Sequence, residues 1–362
     1  MSNRTPVHFD GLNALRFFSA FAIVIYRGTL GVQSKVPDAL RAFLHNLSIG
    51  VDMFFLVSGF LIIYLLLHEK AETGSLSISK FYSRRVLRIF PLYYLIIGIA
   101  YFAYHANYPG IDFSKFICFV GNFWMIKIDS WSIGILNPLW SLCIEEQFYL
   151  VIPLLILLIP VRYLKYLFWV IIFTSFIYRG WITATAKHNW MSIYCHTLSR
   201  CDLLAIGGLL AYHHHISKFK INVSGYFLLG VLTYLILLMA NVDSSDYTTL
   251  IKATLNKMLF ALPLLLIFMG LVLNKNEESK VVKWIKTNSV INYLGKISFG
   301  LYMYYTMVVE FVDVSLKDYN SFLLRISTII ILTVLLSVIS YECFEKRIIN
   351  LKRYFKSESD SS

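Results

Sequence analysis

The chain has 362 residues, of which 57% are hydrophobic and 15% charged, with a mean hydropathy of +0.64 and a formal net charge of +12. Soluble domains are about a quarter charged, so this balance excludes an ordinary soluble protein. In such a chain a positive excess reports membrane orientation and attraction to anionic lipid, and is poor evidence for nucleic-acid binding.

Apolar runs of about 20 residues, the length that crosses a bilayer, recur along almost the whole sequence. They predict an all-α polytopic membrane bundle of ten spans: 13–31, 48–68, 86–106, 138–160, 163–181, 201–216, 225–241, 256–273, 293–312 and 322–344. With both termini on one face, the segments on that face hold about twice as many Lys and Arg as the opposite segments, which places the N and C termini in the cytoplasm. The expected organisation is a cytoplasmic N-terminus (1–12), a membrane domain (13–344) and a basic cytoplasmic tail (345–362). No cleavable signal is expected, because the first run starts after residue 10 and no small-residue cleavage site follows it.

Ionisable residues inside spans are costly and mark internal cavities or paired sites. The first span, "RFFSAFAIVIYR", begins with Arg16 and ends with Arg27. Eleven helical steps return to within roughly 20° and rise about 16 Å, so both guanidinium groups share one face, three turns apart. Next, "GVDMFFLVSGFLI" carries Asp52 at its start and Ser58 in its middle. Asp52 has a plain alternative role as a helix-start cap. "FYSRRVLRIFPLYYL" places Arg84, Arg85 and Arg88 at the inner end of the third span, with Arg84 and Arg88 on one face at i and i+4. These arginines read either as positive-inside anchors or as a binding cluster. The aromatic-rich segment 107–137 can dip into the interface. The fourth span, "PLWSLCIEEQFYL", holds Trp140, Glu145, Glu146 and Gln147. Two adjacent carboxylates in an apolar helix call for cationic partners, either in a structural ion-pair network or in a site.

The remaining signals are bland. "HHH" at 213–215 points three ways on a helix and reads as a basic helix end, so no metal site is expected. Cys118, Cys143, Cys195, Cys201 and Cys343 form no Cys-x-x-Cys pair and read as small buried residues, although Cys195 and Cys201 can lie close together. The chain carries no phosphate loop, serine-hydrolase elbow or zinc-protease signature. It also lacks an internal repeat, which weighs against a transporter built from inverted halves.

The segments "FDGLNALRFF", "GVDMFFLVSGFLI", "FYSRRVLRIFPLYYL", "PLWSLCIEEQFYL", "CDLLAIGGLLAY", "LGKISFGLYMYY" and "YECFEKRI" resemble, in order, the membrane acyltransferase-3 family. The resemblance spans residues 9 to 347. It implies a ten-span enzyme of the bacterial cytoplasmic (inner) membrane that takes an acyl group, often acetyl, from cytoplasmic acyl-CoA. The implied acceptor is a hydroxyl of an envelope or extracellular carbohydrate. Acyl-CoA enters as a co-substrate; no bound cofactor is implied. Some relatives carry a soluble esterase-like domain after the membrane part, and the short tail here leads us to expect none.

The family's Arg-x-x-Arg motif matches Arg85-Val-Leu-Arg88, suited with Arg84 to the phosphates of coenzyme A. Its Arg-x10-His motif places Arg16 on the arginine and Arg27 on the histidine, and "LYMYY" puts Tyr305 where many relatives have a histidine. The candidate catalytic set is therefore Arg16, Arg27, Glu145, Glu146 and Tyr305, with Asp52, Ser58, Trp140 and Gln147 as candidate substrate-binding residues. A guanidinium is always protonated and cannot act as a general base. Three accounts remain open. The chain is a substituted, largely inactive family member that binds glycan or acyl-CoA as a scaffold; or it uses another base, with Glu145, Glu146, His45 and His196 as candidates; or the first-span register or the family's tolerance differs from the motif.

Overall fold

A run such as "GVDMFFLVSGFLIIYLLLHE" has no polar face to offer water, so its backbone groups must be satisfied within the segment itself. The computed structural model answers with helices. It describes residues 9–30, 37–185, 190–217, 225–240, 242, 250–273, 279–315 and 321–351, and no strand occurs among them.

The helices in chain order are α1 (Leu12–Thr29), α2 (Asp38–Asn46), α3 (Gly50–Thr73), α4 (Ile78–Tyr104), α5 (Phe113–Ile117), α6 (Gly121–Ile128), α7 (Leu139–Leu158), α8 (Leu164–Thr185) and α9 (Trp190–Cys195). They continue with α10 (Thr197–Ser217), α11 (Tyr226–Met239), α12 (Leu250–Phe268), α13 (Lys280–Thr287), α14 (Ser289–Lys296), α15 (Ser298–Ser315), α16 (Phe322–Ser340) and α17 (Lys346–Asn350).

Each of the ten apolar runs contains a helix. Among the described residues, the six built on α3, α4, α7, α8, α12 and α16 are long and apolar enough to cross a membrane. A seventh forms if α14 and α15, bent by 68° at Ile297, count as one span. Side chains such as Phe102, Leu158, Met239 and Leu323 lie almost fully exposed on the outside of the bundle, as a lipid solvent permits.

Helices α3 and α10 pack at backbone distance. A methyl group at Gly59 would fall on the backbone of Leu204, and one at Gly207 on that of Leu56. Small residues facing each other let two helices approach at backbone distance where lipid supplies no hydrophobic drive. This approach sets Asp52 on α3 against Arg200 on α10.

Segment 107–137 folds as the short helices α5 and α6 followed by the 3-10 turn Gly134–Leu136. It is fastened to the bundle by Gln147, whose amide nitrogen donates to the Phe119 carbonyl (2.7 Å) and Asn122 Oδ1 (3.0 Å). Thr197 donates to the Gln147 carbonyl oxygen, and Asn122 Nδ2 donates to the Cys195 carbonyl at 3.1 Å. At the other end of α7, Lys70 reaches the carbonyls of Ile156 (2.5 Å) and Leu157 (3.3 Å), a cation on a helix C-terminus.

Two cysteines depart from the buried expectation. Cys143, Cys195 and Cys201 are buried, whereas Cys118, which caps the C-terminal end of α5, and Cys343, in the π-helical turn Tyr341–Glu345 after α16, are exposed. Of the three histidines at the end of α10, His213 is exposed while His214 and His215 pack against aromatic rings. His214 sits against Phe9 and Tyr64 (ring centroids 5.8 and 5.7 Å), and His215 against Tyr64 and His68.

Candidate active site

Polar groups gather at two levels inside the bundle, and α1 carries one cation to each. At the first level Arg16 meets Arg85 and Glu145, within electrostatic range of one another and of Tyr149. Arg88 faces Arg16, Arg85, Tyr149 and Glu145, and receives Glu345 from the π-helical segment Tyr341–Glu345. Glu145 is held by two donors: Ser58 Oγ at 3.1 Å and Tyr149 Oη at 2.8 Å, both on Oε2. Arg85 lies over the Tyr149 ring (5.5 Å) and the Phe81 ring (5.9 Å). Its neighbour Glu146 keeps one carboxylate oxygen buried with no hydrogen-bond partner among the described residues.

Arg16, Arg85, Arg88, Glu145, Glu146 and Ser58 are all half-buried, although their helices pack into the core. A half-buried charge among packed helices faces an interior space. Among the described residues this level matches three guanidinium groups with three carboxylates. Arg84 does not join them. It is exposed and pairs with Glu69 at 3.2 Å, so the shared helical face of Arg84 and Arg88 divides between the surface and the interior.

At the second level, toward the far end of α1, Arg27 lies over the Trp131 ring (5.0 Å) and the Tyr26 ring (5.6 Å) and faces the Tyr305 hydroxyl. The two positions where this sequence departs from the histidine motifs are therefore spatial neighbours. Tyr302, one turn before Tyr305, bonds Ser141 at 2.7 Å. Nearby, Asp52 is shared by two buried cations: one oxygen bonds Arg200 and the other Lys257 at 3.2 Å. Arg200 lies against the rings of Phe55 (5.4 Å), Trp140 (5.5 Å) and Tyr194 (5.5 Å). A buried ion pair flanks them, Arg179 with Asp202 at 2.7 Å.

The structure thus brings Arg16, Arg85, Arg88, Glu145, Glu146 and Ser58 together, and Arg27, Tyr305, Asp52 and Trp140 together at the other level. Gln147 spends its amide on the 107–137 segment. Asp52 serves as the anchor of two cations, beyond any capping role. Sequence reasoning missed Arg179, Arg200, Asp202 and Lys257, and the signal available was a charge beside or inside an apolar run. Of the other histidines, His45 packs edge-on to Tyr26 (5.6 Å), next to Arg27. His196 links α9 to α10, stacked on Tyr178 (4.5 Å) and edge-on to Phe123 (5.1 Å). Burial there pushes its pKa down to about 4, which keeps the ring neutral at neutral pH. Among the described residues no three His, Cys, Asp or Glu side chains are placed to hold a metal ion.

A multi-pass helical domain with converging charges in its interior is the framework of a membrane-embedded enzyme. The chain belongs to the acyltransferase domain family, whose model matches residues 9–342. It is similar to the Staphylococcus aureus (strain COL) protein named "Putative O-acetyltransferase SACOL0978", 28% identical over 331 residues that cover 84% of this chain and 51% of the relative. It is also similar to the O-acetyltransferase OatA of S. aureus (strain NCTC 8325 / PS 47), 26% identical over 380 residues that cover 98% of this chain and 59% of OatA. The chain therefore spans a little over half the length of the curated relatives it matches. No solved structure matches it.

Proposed function

We propose that the chain moves an acetyl group from acyl-CoA to a hydroxyl of an envelope carbohydrate, as a ten-span protein of the bacterial cytoplasmic membrane with both termini in the cytoplasm. The observation that carries the reading is the convergence of Arg16, Arg85 and Arg88 with Glu145 and Glu146, from three helices distant in sequence, in a chain of the acyltransferase family. Arg85 and Arg88 are suited to hold phosphates of the donor. Arg16 supplies donors for the thioester oxygen as it gains charge, while the Ser58 and Tyr149 hydroxyls donate to Glu145.

In the transfer, the acceptor oxygen bonds to the thioester carbonyl carbon and the carbon–sulfur bond breaks. The hydroxyl proton passes to a carboxylate, and coenzyme A leaves as thiolate to recover that proton. Arg27 cannot take this proton. The unpartnered oxygen of Glu146 makes it the leading base, with Glu145 positioned by Ser58 and Tyr149 beside it.

The test is coenzyme A release from acetyl-CoA by the full chain in proteoliposomes, with and without envelope extract. It is run beside Arg85→Ala, Glu146→Gln and Arg27→His. The chain as it stands should turn over, Glu146→Gln should not, and Arg85→Ala should do so only at much higher acetyl-CoA. A second reading rests on Arg27 itself: a non-catalytic member that binds acyl-CoA or glycan. Turnover by Arg27→His alone would establish that reading and return the histidine motif to its role.

A further inference from the structure

The stretch Ser279–Lys296 carries the lysines 280, 283, 286 and 296 and no acidic residue; Glu277 and Glu278 precede it, outside the described residues. It folds as α13 and α14, each begun by its own cap. Ser279 Oγ accepts the Val282 N–H at 3.3 Å, and Asn288 Oδ1 accepts the Ile291 N–H at 3.0 Å. Asn292 closes the elbow between them, donating to the carbonyls of Lys286 (2.6 Å) and Asn288 (2.9 Å). The elbow is fixed at the Arg16 end of the bundle. Asn13, one turn before Arg16, donates to Asn292 Oδ1 at 3.4 Å, and a methyl group at Gly295 would fall on the Asn13 backbone. Since α14 leaves the axis of α15 by 68°, the elbow turns off the spanning direction and runs toward the plane of the membrane surface.

Residues three apart on a helix are neighbours on its surface, and α13 sorts its side chains into three such rows. Val282 and Ile285 are buried against the bundle. Val281 and Trp284 form a second row and are 60% and 59% exposed, as is Val290 at the start of α14 (62%). Lys280 and Lys283 form a third row and are exposed. Adjoining apolar and basic rows on a helix at the end of a membrane bundle fit the boundary between acyl chains and headgroups, and tryptophan favours that depth. The charge complement of exposed lysines there is the phosphate of an anionic headgroup.

We propose that α13 is a docking site for anionic phospholipid, with Val281 and Trp284 among the acyl chains and Lys280 and Lys283 on the headgroup phosphates. The lipid thereby anchors the elbow that holds the start of α1. This binding is independent of the acetyl-transfer reading. Coenzyme A offers the same phosphate chemistry, so the test separates it from lipid.

The full chain in detergent micelles is titrated with phosphatidylglycerol carrying brominated acyl chains, and with equally brominated phosphatidylcholine. Quenching of Trp284 is read as the difference between the parent and Trp284→Phe. Phosphatidylglycerol should quench Trp284 at a concentration at least about tenfold lower than phosphatidylcholine, since each lysine near an anionic surface contributes about fivefold. Replacing both lysines (Lys280→Gln with Lys283→Gln) should remove the preference, and Lys280→Arg with Lys283→Arg should retain it. Lys115→Gln with Lys127→Gln, an equal loss of charge at exposed positions of α5 and α6, should leave it unchanged. Equal quenching by the two lipids, or an unchanged preference in the α13 glutamine pair, overturns the proposal. So does an equal loss in the α5 and α6 pair, which would report net charge alone. A Trp284 that neither lipid quenches also overturns it, and gives the face to another occupant such as a second copy of the chain. Displacement of phosphatidylglycerol by soluble coenzyme A overturns it too, and assigns the lysines to the donor's phosphates.

Discussion

The two ends of α1 pose the same problem, a guanidinium inside an apolar bundle, and solve it differently. Arg16 sits among arginines and glutamates that are half-buried and face an interior space. Arg27 sits on aromatic rings next to a fully buried triad in which Asp52 is shared by Arg200 and Lys257. The first arrangement holds half-buried carboxylates, one oxygen of which has no hydrogen-bond partner among the described residues, as a proton acceptor requires. The second fixes the Asp52 carboxylate between two cations and surrounds Arg27 and Arg200 with aromatic rings. On the proposed reading, chemistry belongs with the first level.

The largest effect expected from this division is on rate. Glu145→Ala should lower coenzyme A release by about 10²–10⁴-fold, the range for loss of a proton-transfer or charge-stabilising group. Because Glu145 and the arginines around it are half-buried, thermal unfolding in detergent should shift less than for the fully buried Asp52. A large loss of stability with residual rate would reverse the assignment and make the first level structural.

Asp52→Ala should show the opposite pattern. Removing the carboxylate that two buried cations share breaks both of these ion pairs, at a cost of about 3–5 kcal/mol. The measurement is the denaturation midpoint of the purified chain in detergent. A variant as stable as the parent would mean that the triad is solvated in the membrane, and that this level is wetter than its burial suggests.

Most of the fold could be read from the sequence because lipid leaves the backbone no alternative. Each of the ten apolar runs does contain a helix. The short helices α2, α5, α6, α9 and α13 escaped notice, since five to nine residues carry too little periodicity to stand out. The Arg16 level was legible for a related reason: Glu145 and Glu146 fall in mid-span, where a charge has no bland explanation. Arg179, Arg200 and Lys257 fall within two or three residues of run boundaries at 181, 201 and 256, where a long cation normally snorkels to the interface. What the sequence could not supply was the partner, since Asp52 and Arg200 are 148 positions apart and meet only through the approach of α3 and α10 at Gly59 and Gly207. The same limit hid the contact between Arg27 and Tyr305.

A smaller effect tests that helix approach. Gly59→Ala must push a methyl group into the α10 backbone at Leu204, where no flexible side chain can yield. Overpacking of this kind costs about 1–3 kcal/mol. Because α3 carries Asp52 and Ser58 to different levels, the shift should lower the unfolding midpoint and coenzyme A release together. Loss of one without the other would show that the two levels are mechanically independent.

The smallest expected change is at Arg84, and it sharpens the boundary of the first level. Arg84 is one residue from Arg85, but its guanidinium is exposed and paired with Glu69 at 3.2 Å. Exposed pairs of this kind contribute about 0–1 kcal/mol, so Arg84→Ala should leave the unfolding midpoint nearly unchanged. Its effect on the KM for acetyl-CoA discriminates further. If the donor's phosphates stop at Arg85 and Arg88, Arg84→Ala raises KM by less than about threefold, whereas Arg85→Ala, which removes a charge-assisted contact, raises it by at least about tenfold. Equal increases would move the donor site outward to the surface arginine, and would separate phosphate binding from the interior cluster around Glu145.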